Sequence, residues 1–215
     1  MTQAPIIGIQ RHRITTDGEG VTTLVGFWGC PLQCKYCLNP QSWTVNHSRI
    51  FTPEQLYNDV SIDQLYFLAT GGGITFGGGE PFLYPEFIKE FRALCGDVWN
   101  ITLETSLNVP LKNIQQLQSY VNNYIVDIKE LNDVIYQKYT GKSNHQVIEN
   151  LLWLIENVDK KNIIVRVPII PEYNNEEMTK ETEKWLIDKG IKNIDIFNYI
   201  TKTFDDKLEI ITGKR

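Results

Sequence analysis

Residues 22–43 read TTLVGFWGCPLQCKYCLNPQSW. Thr22–Trp28 is rich in β-branched and aromatic residues and predicts a strand. A loop follows at once, carrying Cys30, Cys34 and Cys37 in the spacing C-x3-C-x2-C. Chemistry-bearing residues placed just after a strand are the signature of α/β enzymes, whose sites gather at the C-terminal ends of parallel strands.

Outward from this unit, short apolar runs alternate with longer amphipathic ones. Strands are predicted at Gly73–Gly77, Trp99–Thr105, Tyr124–Lys129, Ile163–Ile169 and Ile194–Ile200. Helices are predicted between them at Thr52–Ala69, Pro85–Cys95, Leu111–Asn122, His145–Val158 and Asn175–Lys189, with a short one at Asp133–Tyr139. Thr52-Pro53 is a cap followed by proline at the first helical position, and Gly141 and Gly190 stand where helices should stop. Such alternation demands a parallel sheet with right-handed crossovers. Six units are too few for a closed eight-stranded barrel. The expected fold is therefore α/β, a partial (βα)6 TIM-like open barrel of parallel strands in one domain over residues 1–215, with an open doubly wound sheet as the alternative. Cys30, Glu80, Glu104, Lys129 and Arg166 all fall at or near strand C-termini, which favours the barrel.

Composition bounds the function. The 215 residues carry a net charge of −5, the wrong sign for a sequence-independent nucleic-acid binder. No apolar run approaches a membrane span, and the start, MTQAPIIGIQRHR, has no apolar signal core, so a cytoplasmic location is expected. In a reducing compartment, three of four cysteines clustered within residues 30–37 point to metal or cofactor binding rather than to disulfides.

Thiolates are soft ligands suited to zinc or iron–sulfur clusters. If three of them hold a cubane, one iron is left open, and an open coordination position is what catalysis at a metal requires. Cys95 lies on an apolar helical stretch and is expected in the core. The plainer alternative is a structural zinc on the three cysteines with His47 as fourth ligand. The paired C-x2-C knuckles usual for zinc are missing.

The motif GCPLQCKYCLNPQSW, with Tyr36 before the last cysteine, resembles the radical S-adenosylmethionine superfamily and, within it, the activating enzymes of glycyl radical enzymes. Other blocks resemble that branch in the same order. They are Thr16-Asp17-Gly18-Glu19-Gly20, FGGGEP at Phe76–Pro81, Thr102-Leu103-Glu104-Thr105-Ser106, Asp127-Ile128-Lys129 and Arg166-Val167-Pro168-Ile169-Ile170-Pro171. The resemblance implies a [4Fe-4S] cluster on Cys30, Cys34 and Cys37. It implies S-adenosylmethionine contacts from Tyr36, Leu38, Gly78, Gly79, Glu80, Glu104, Asp127, Ile128, Lys129 and Arg166, and a monovalent cation at Glu104, Thr105 and Asp127. Gly77–Gly79 lack Cβ atoms, so backbone can come close to a ligand there. Glu80 would orient the cofactor's amino group, and Lys129 would meet its carboxylate or ribose. Ile200 stands where family members often have histidine, and Glu104 where they more often have aspartate.

The chemistry so implied is reductive cleavage of S-adenosylmethionine to a 5′-deoxyadenosyl radical, with an electron from flavodoxin or ferredoxin. As an activase, the chain would use that radical on a backbone glycine of a partner glycyl radical enzyme. A radical enzyme acting on a peptide or small molecule is the second reading, and a non-catalytic iron–sulfur electron carrier the third.

Overall fold

A computed structural model describes residues 2–14, 16–44, 48–199 and 201. Six parallel strands appear where the apolar runs predict them. They are β2 (Val21–Phe27), β4 (Gly73–Gly78), β5 (Asn100–Thr105), β6 (Asn123–Asp127), β7 (Ile163–Ile169) and β8 (Ile194–Asn198). Two more, β1 (Ala4–Ile14) and β3 (Arg49–Phe51), extend the sheet antiparallel, so its order is β3-β1-β2-β4-β5-β6-β7-β8. The six parallel strands expected are all present, and the two further strands make the whole sheet mostly parallel. β3 has only three residues, and Pro5 and Gly8 dilute the strand signal of β1. Among the described residues the two edge strands do not pair with each other, so the sheet they form is not closed into a barrel.

The helices are α1 (Pro53–Val60), α2 (Gln64–Thr70), α3 (Pro85–Cys95), α4 (Leu111–Leu117), α5 (Asp133–Thr140), α6 (His145–Asn157) and α7 (Glu176–Asp188). Thr52 caps α1 reciprocally with Gln55, and Pro53 opens it. The single helix expected over 52–69 is interrupted by a 3-10 turn at Ser61–Asp63. That turn buries Asp63, which accepts from Thr23 Oγ1 at 2.8 Å and pairs with Arg11 at 3.4 Å. The longer helix expected over 111–122 stops at Leu117. No helix among the described residues is long and apolar enough to cross a membrane.

Strand alternation sorts the two faces. Ile74, Phe76, Ile101, Leu103, Tyr124, Val126, Ile163 and Val165 are buried, facing the helices. Phe27, Phe76, Phe91 and Trp99 pack there with ring centroids 5.2 to 6.2 Å apart. The other face, the barrel's lumen, carries Glu104, Asp127 and Arg166. Its N-terminal end is plugged by the β1–β2 loop. Thr75 Oγ1 donates to the Asp17 carbonyl, Arg166 donates to the Thr16 carbonyl, and Arg13 pairs with Asp17 at 2.5 Å.

At the opposite end, the β4 loop packs onto the segment leading to Cys30. The Gly79 N–H donates to the Phe27 carbonyl at 3.0 Å and the Glu80 N–H to the Gly29 carbonyl at 2.7 Å. A Cβ built on Gly79 would overlap the Gly29 carbonyl oxygen and lie 2.7 Å from that of Phe27. The glycine therefore admits the neighbouring backbone of the cysteine loop, which is a different close approach from the ligand contact expected of it. Gly79→Ala should lower stability by about 1–3 kcal/mol through overpacking. Gly8→Ala, where an added Cβ meets nothing within 4 Å, is the control and should be near neutral. Denaturant titration checks this pair, and equal stability of the two variants would refute the packing argument.

Candidate functional site

The loop after β2 is held from several sides. Its backbone bonds to the β4 loop, to Ser42 through the Gly29 N–H at 2.9 Å, and to the end of α5 through Gln33 and Lys35. Leu32 is buried, and the Leu32 carbonyl accepts from Trp43 Nε1 at 2.9 Å. Asn39 bridges back to the β4 loop, donating from its side chain to the Gly78 carbonyl at 3.3 Å, while its N–H meets Cys37 Sγ at 3.4 Å. Tyr84 donates to the Trp28 carbonyl at 2.7 Å. Asn39 and Tyr84 are site-building residues that were not singled out from the sequence, although the Asn-Pro step after the cysteines marks a turn.

Cys30 and Cys37 are half-buried and Cys34 is buried, all as free thiols. Burial, then the nearby Glu80 charge, pushes Cys30 up to about 12. Cys34 is pushed by burial up to about 11, with Lys129 opposing the shift. Bare Cys30 and Cys34 thiols in this setting stay protonated, so a bound cationic group would be what holds them as thiolates. Among the described residues, no three His, Cys, Asp or Glu side chains converge on one point as a single metal ion needs. A cubane asks for less convergence, because each thiolate binds a separate iron. Three soft thiolate donors carried on one loop are the donor type an iron–sulfur cluster takes. His47 lies outside the described residues, and Cys95 is buried at the end of α3 with its Sγ against the Arg92 and Gly96 carbonyls.

Beneath the loop a cavity of about 1080 Å³ runs into the lumen, lined by Leu38, Asn39, Glu104, Asp127, Arg166 and Tyr199 among others. Leu38 is half-exposed at its rim. Tyr36 packs against Tyr139 and Tyr173 at 6.2 and 6.1 Å between ring centroids. Lys129 reaches Asp127 at 3.1 Å. Burial opposes its charge, but Asp127 and then Cys34 outweigh burial and keep its pKa above the ordinary lysine value. Arg166 holds Glu104 at 2.7 Å. Burial and the Asp127 carboxylate nevertheless push Glu104 up to about 7.

Three expectations change. Glu104 and Thr105 are consecutive on β5 and face opposite sides of the sheet, so their side chains do not converge with Asp127 on one point. Thr105 Oγ1 donates to Glu80 and accepts from the Leu107 N–H, while Glu104 and Asp127 already have cationic partners. Glu80 is fully buried, with its oxygens accepting from Thr105 Oγ1 (2.7 Å), Ser106 N–H (3.0 Å), Ser106 Oγ (2.7 Å) and Phe82 N–H (3.4 Å). Its carboxylate ties the β4 and β5 loops together and has no surface left for a ligand's amino group. Burial raises its pKa, and those hydrogen bonds pull it back. The Ile128 side chain is buried, and its N–H donates to the Arg166 carbonyl at 2.9 Å, so it sits in the core rather than in the cavity. Ile200 lies outside the described residues.

Known proteins resemble the chain along most of its length. A pyruvate formate-lyase-activating enzyme of Clostridium pasteurianum is 32% identical, covering 83% of this chain and 74% of its own. A (2S)-3-sulfopropanediol dehydratase activating enzyme of Klebsiella oxytoca is 29% identical, covering 85% and 77%. Among solved structures, a domain of pyruvate-formate lyase-activating enzyme from Bacteroides vulgatus superposes with a TM-score of 0.52 at 22% identity, over 66% of this chain and 92% of that one. Streptococcus suis SuiB bound to S-adenosylmethionine gives 0.64 at 14% identity, and the chain spans under half of it, 46%. The model of the Radical SAM superfamily matches residues 26–186. The chain belongs to the radical SAM superfamily.

Proposed function

We propose that this chain is a single radical S-adenosylmethionine domain that activates a glycyl radical enzyme. Cys30, Cys34 and Cys37 would hold the [4Fe-4S] cluster and leave one iron for S-adenosylmethionine. When bound, the pair supplies reductive cleavage of the S–C5′ bond and a hydrogen-abstracting radical. The protein's own residues bind, orient and exclude water. Leu38 and Tyr36 would shield the cofactor beside the loop, and Gly78 and Gly79 would act indirectly, by holding that loop against β4. Lys129 would turn from Asp127 towards the cofactor carboxylate, and Glu104, Asp127 and Arg166 would form the polar floor.

The observation that carries the activase reading is the unclosed sheet. Among the described residues β8 and β3 stand at opposite edges of the sheet and do not pair with each other, a gap through which an extended peptide would reach the cavity from the side. Its volume, about 1080 Å³, lies at the top of the range usual for small-ligand pockets, so a cofactor leaves room for a substrate segment. The relatives' names supply the class of partner, a glycyl radical enzyme. A reducing cytoplasm suits the free thiols. Incubating the reduced, reconstituted protein and S-adenosylmethionine with a glycyl radical enzyme of the same organism should yield a glycyl doublet in electron paramagnetic resonance, together with 5′-deoxyadenosine. Cofactor cleavage with no doublet from any co-occurring glycyl radical enzyme would favour a peptide or small-molecule substrate instead.

Changing Cys30, Cys34 or Cys37 to Ala should abolish iron–sulfur assembly, measured as bound iron and sulfide, whereas Cys95→Ala should retain it. The opposite pattern would overturn the ligand assignment. Lys129→Met keeps the apolar stem and removes the charge. It should weaken S-adenosylmethionine binding by about 1–3 kcal/mol in calorimetry, the penalty for leaving a desolvated carboxylate unpaired. Unchanged affinity would place the cofactor elsewhere.

A further inference from the structure

Lys35 stands between Cys34 and Cys37 and is exposed. Its N–H donates to the Tyr139 carbonyl at 3.1 Å, and the Gln33 N–H donates to the Thr140 carbonyl at 2.9 Å. These bonds fasten the cysteine loop to the last turn of α5. That turn carries Lys138, Lys142 follows two residues after its end, and both are exposed. Three exposed lysines from two stretches of chain, the cysteine loop and the end of α5, are thus brought to the same side of the protein.

Lysine ion pairs among the described residues join Lys89 to Glu86, Lys129 to Asp127 and Lys161 to Asp159, which leaves Lys35, Lys138 and Lys142 without such partners. The acids nearby are otherwise engaged. Asp133 accepts from Gln137, Ser143 and Asn144, and Glu172 faces the Tyr36 hydroxyl. In a chain of net charge −5, this is a local reversal of sign. None of the three lysines lines the cavity, so the patch serves something that approaches the cysteine loop from outside. Reductive chemistry at that loop needs an electron from outside, and electron tunnelling falls steeply with distance. Lys35 lies on the cysteine loop itself, one residue from Cys34 and two from Cys37, so a protein seated on the lysines stands against that loop. Behind it, Tyr36, Tyr139 and Tyr173 pack as a dense aromatic layer with centroids 5.0 to 6.2 Å apart.

We infer that Lys35, Lys138 and Lys142 form the docking surface for a small acidic one-electron carrier protein. The inference rests on the radical S-adenosylmethionine reading above. In the transfer, the carrier's reduced cofactor loses one electron and the cluster on Cys30, Cys34 and Cys37 gains it, with no atom exchanged. Redox encounters of this kind use small interfaces, and opposite charges serve to steer the approach.

The test is stopped-flow oxidation of a flavodoxin hydroquinone, the flavodoxin chosen for an acidic rim around its flavin, by the anaerobically reconstituted protein. Replacing Lys35, Lys138 and Lys142 together by Glu should slow the second-order rate at low ionic strength by roughly tenfold or more and remove most of its salt dependence. A control with Lys180, Lys184 and Lys192 changed to Glu has the same net charge and should stay near wild type. Iron content and reduction by a small neutral chemical reductant should match wild type in both. If the triple variant fails to assemble a cluster, Lys138→Glu alone, outside the cysteine loop, should still show part of the slowing. Equal slowing in patch and control variants, or no slowing, overturns the inference. So does a patch variant that accepts flavodoxin electrons normally but loses binding to the glycyl radical enzyme. A wild-type protein that assembles no cluster would instead sink the functional reading on which the inference rests.

Discussion

The site depends on two backbone hydrogen bonds, from Gly79 to Phe27 and from Glu80 to Gly29. They continue the β2–β4 ladder past its last paired residues, Phe27 and Gly78, so that the strand pair itself places the residue before Cys30. No side chain fits at residue 79, because the Gly29 carbonyl occupies that space. The grip is then passed sideways. Glu80, turned into the interior, accepts from the loop after β5, and four donors compensate for burying its carboxylate. One short segment therefore sets the cysteine loop and also locks the neighbouring strand's end.

A second layer of order comes from charge. Several lumen charges are paired, Arg166 with Glu104 across strands and, closer in sequence, Lys129 with Asp127 and Arg13 with Asp17. Such pairs keep a polar cavity tolerable, and they can be exchanged for ligand contacts at little cost if the incoming group brings matching charge. Lys129 is the clearest instance. It is nearly buried, held charged by Asp127, and close enough to the cysteines to feel Cys34.

Much of this was legible in the chain. Strands β4 to β7 announce themselves by compact apolar runs bounded by glycine, asparagine and proline, and the cysteine spacing places chemistry after β2. β1 and β3 were not legible, because an edge strand interrupted by Pro5 and Gly8 and one of three residues lack a periodic signal. The glycine run correctly marked a close approach, yet nothing local could say that the approaching group was Gly29 rather than a ligand. Likewise, Glu80 and Thr105 are polar residues at strand ends, where sequence favours a ligand role. Only the three-dimensional pairing shows that they satisfy one another. Glu104 and Thr105 could have been separated from the alternation of a strand, since neighbours on β5 cannot share a face.

The central claim is that this loop holds a cluster through three cysteines and leaves one iron free for S-adenosylmethionine. Mössbauer spectroscopy of protein reconstituted with iron-57, recorded before and after addition of S-adenosylmethionine, tests it directly. The account predicts one iron site distinct from the rest, whose isomer shift alone moves when the cofactor binds. A spectrum of equivalent irons that the cofactor leaves unchanged would contradict it.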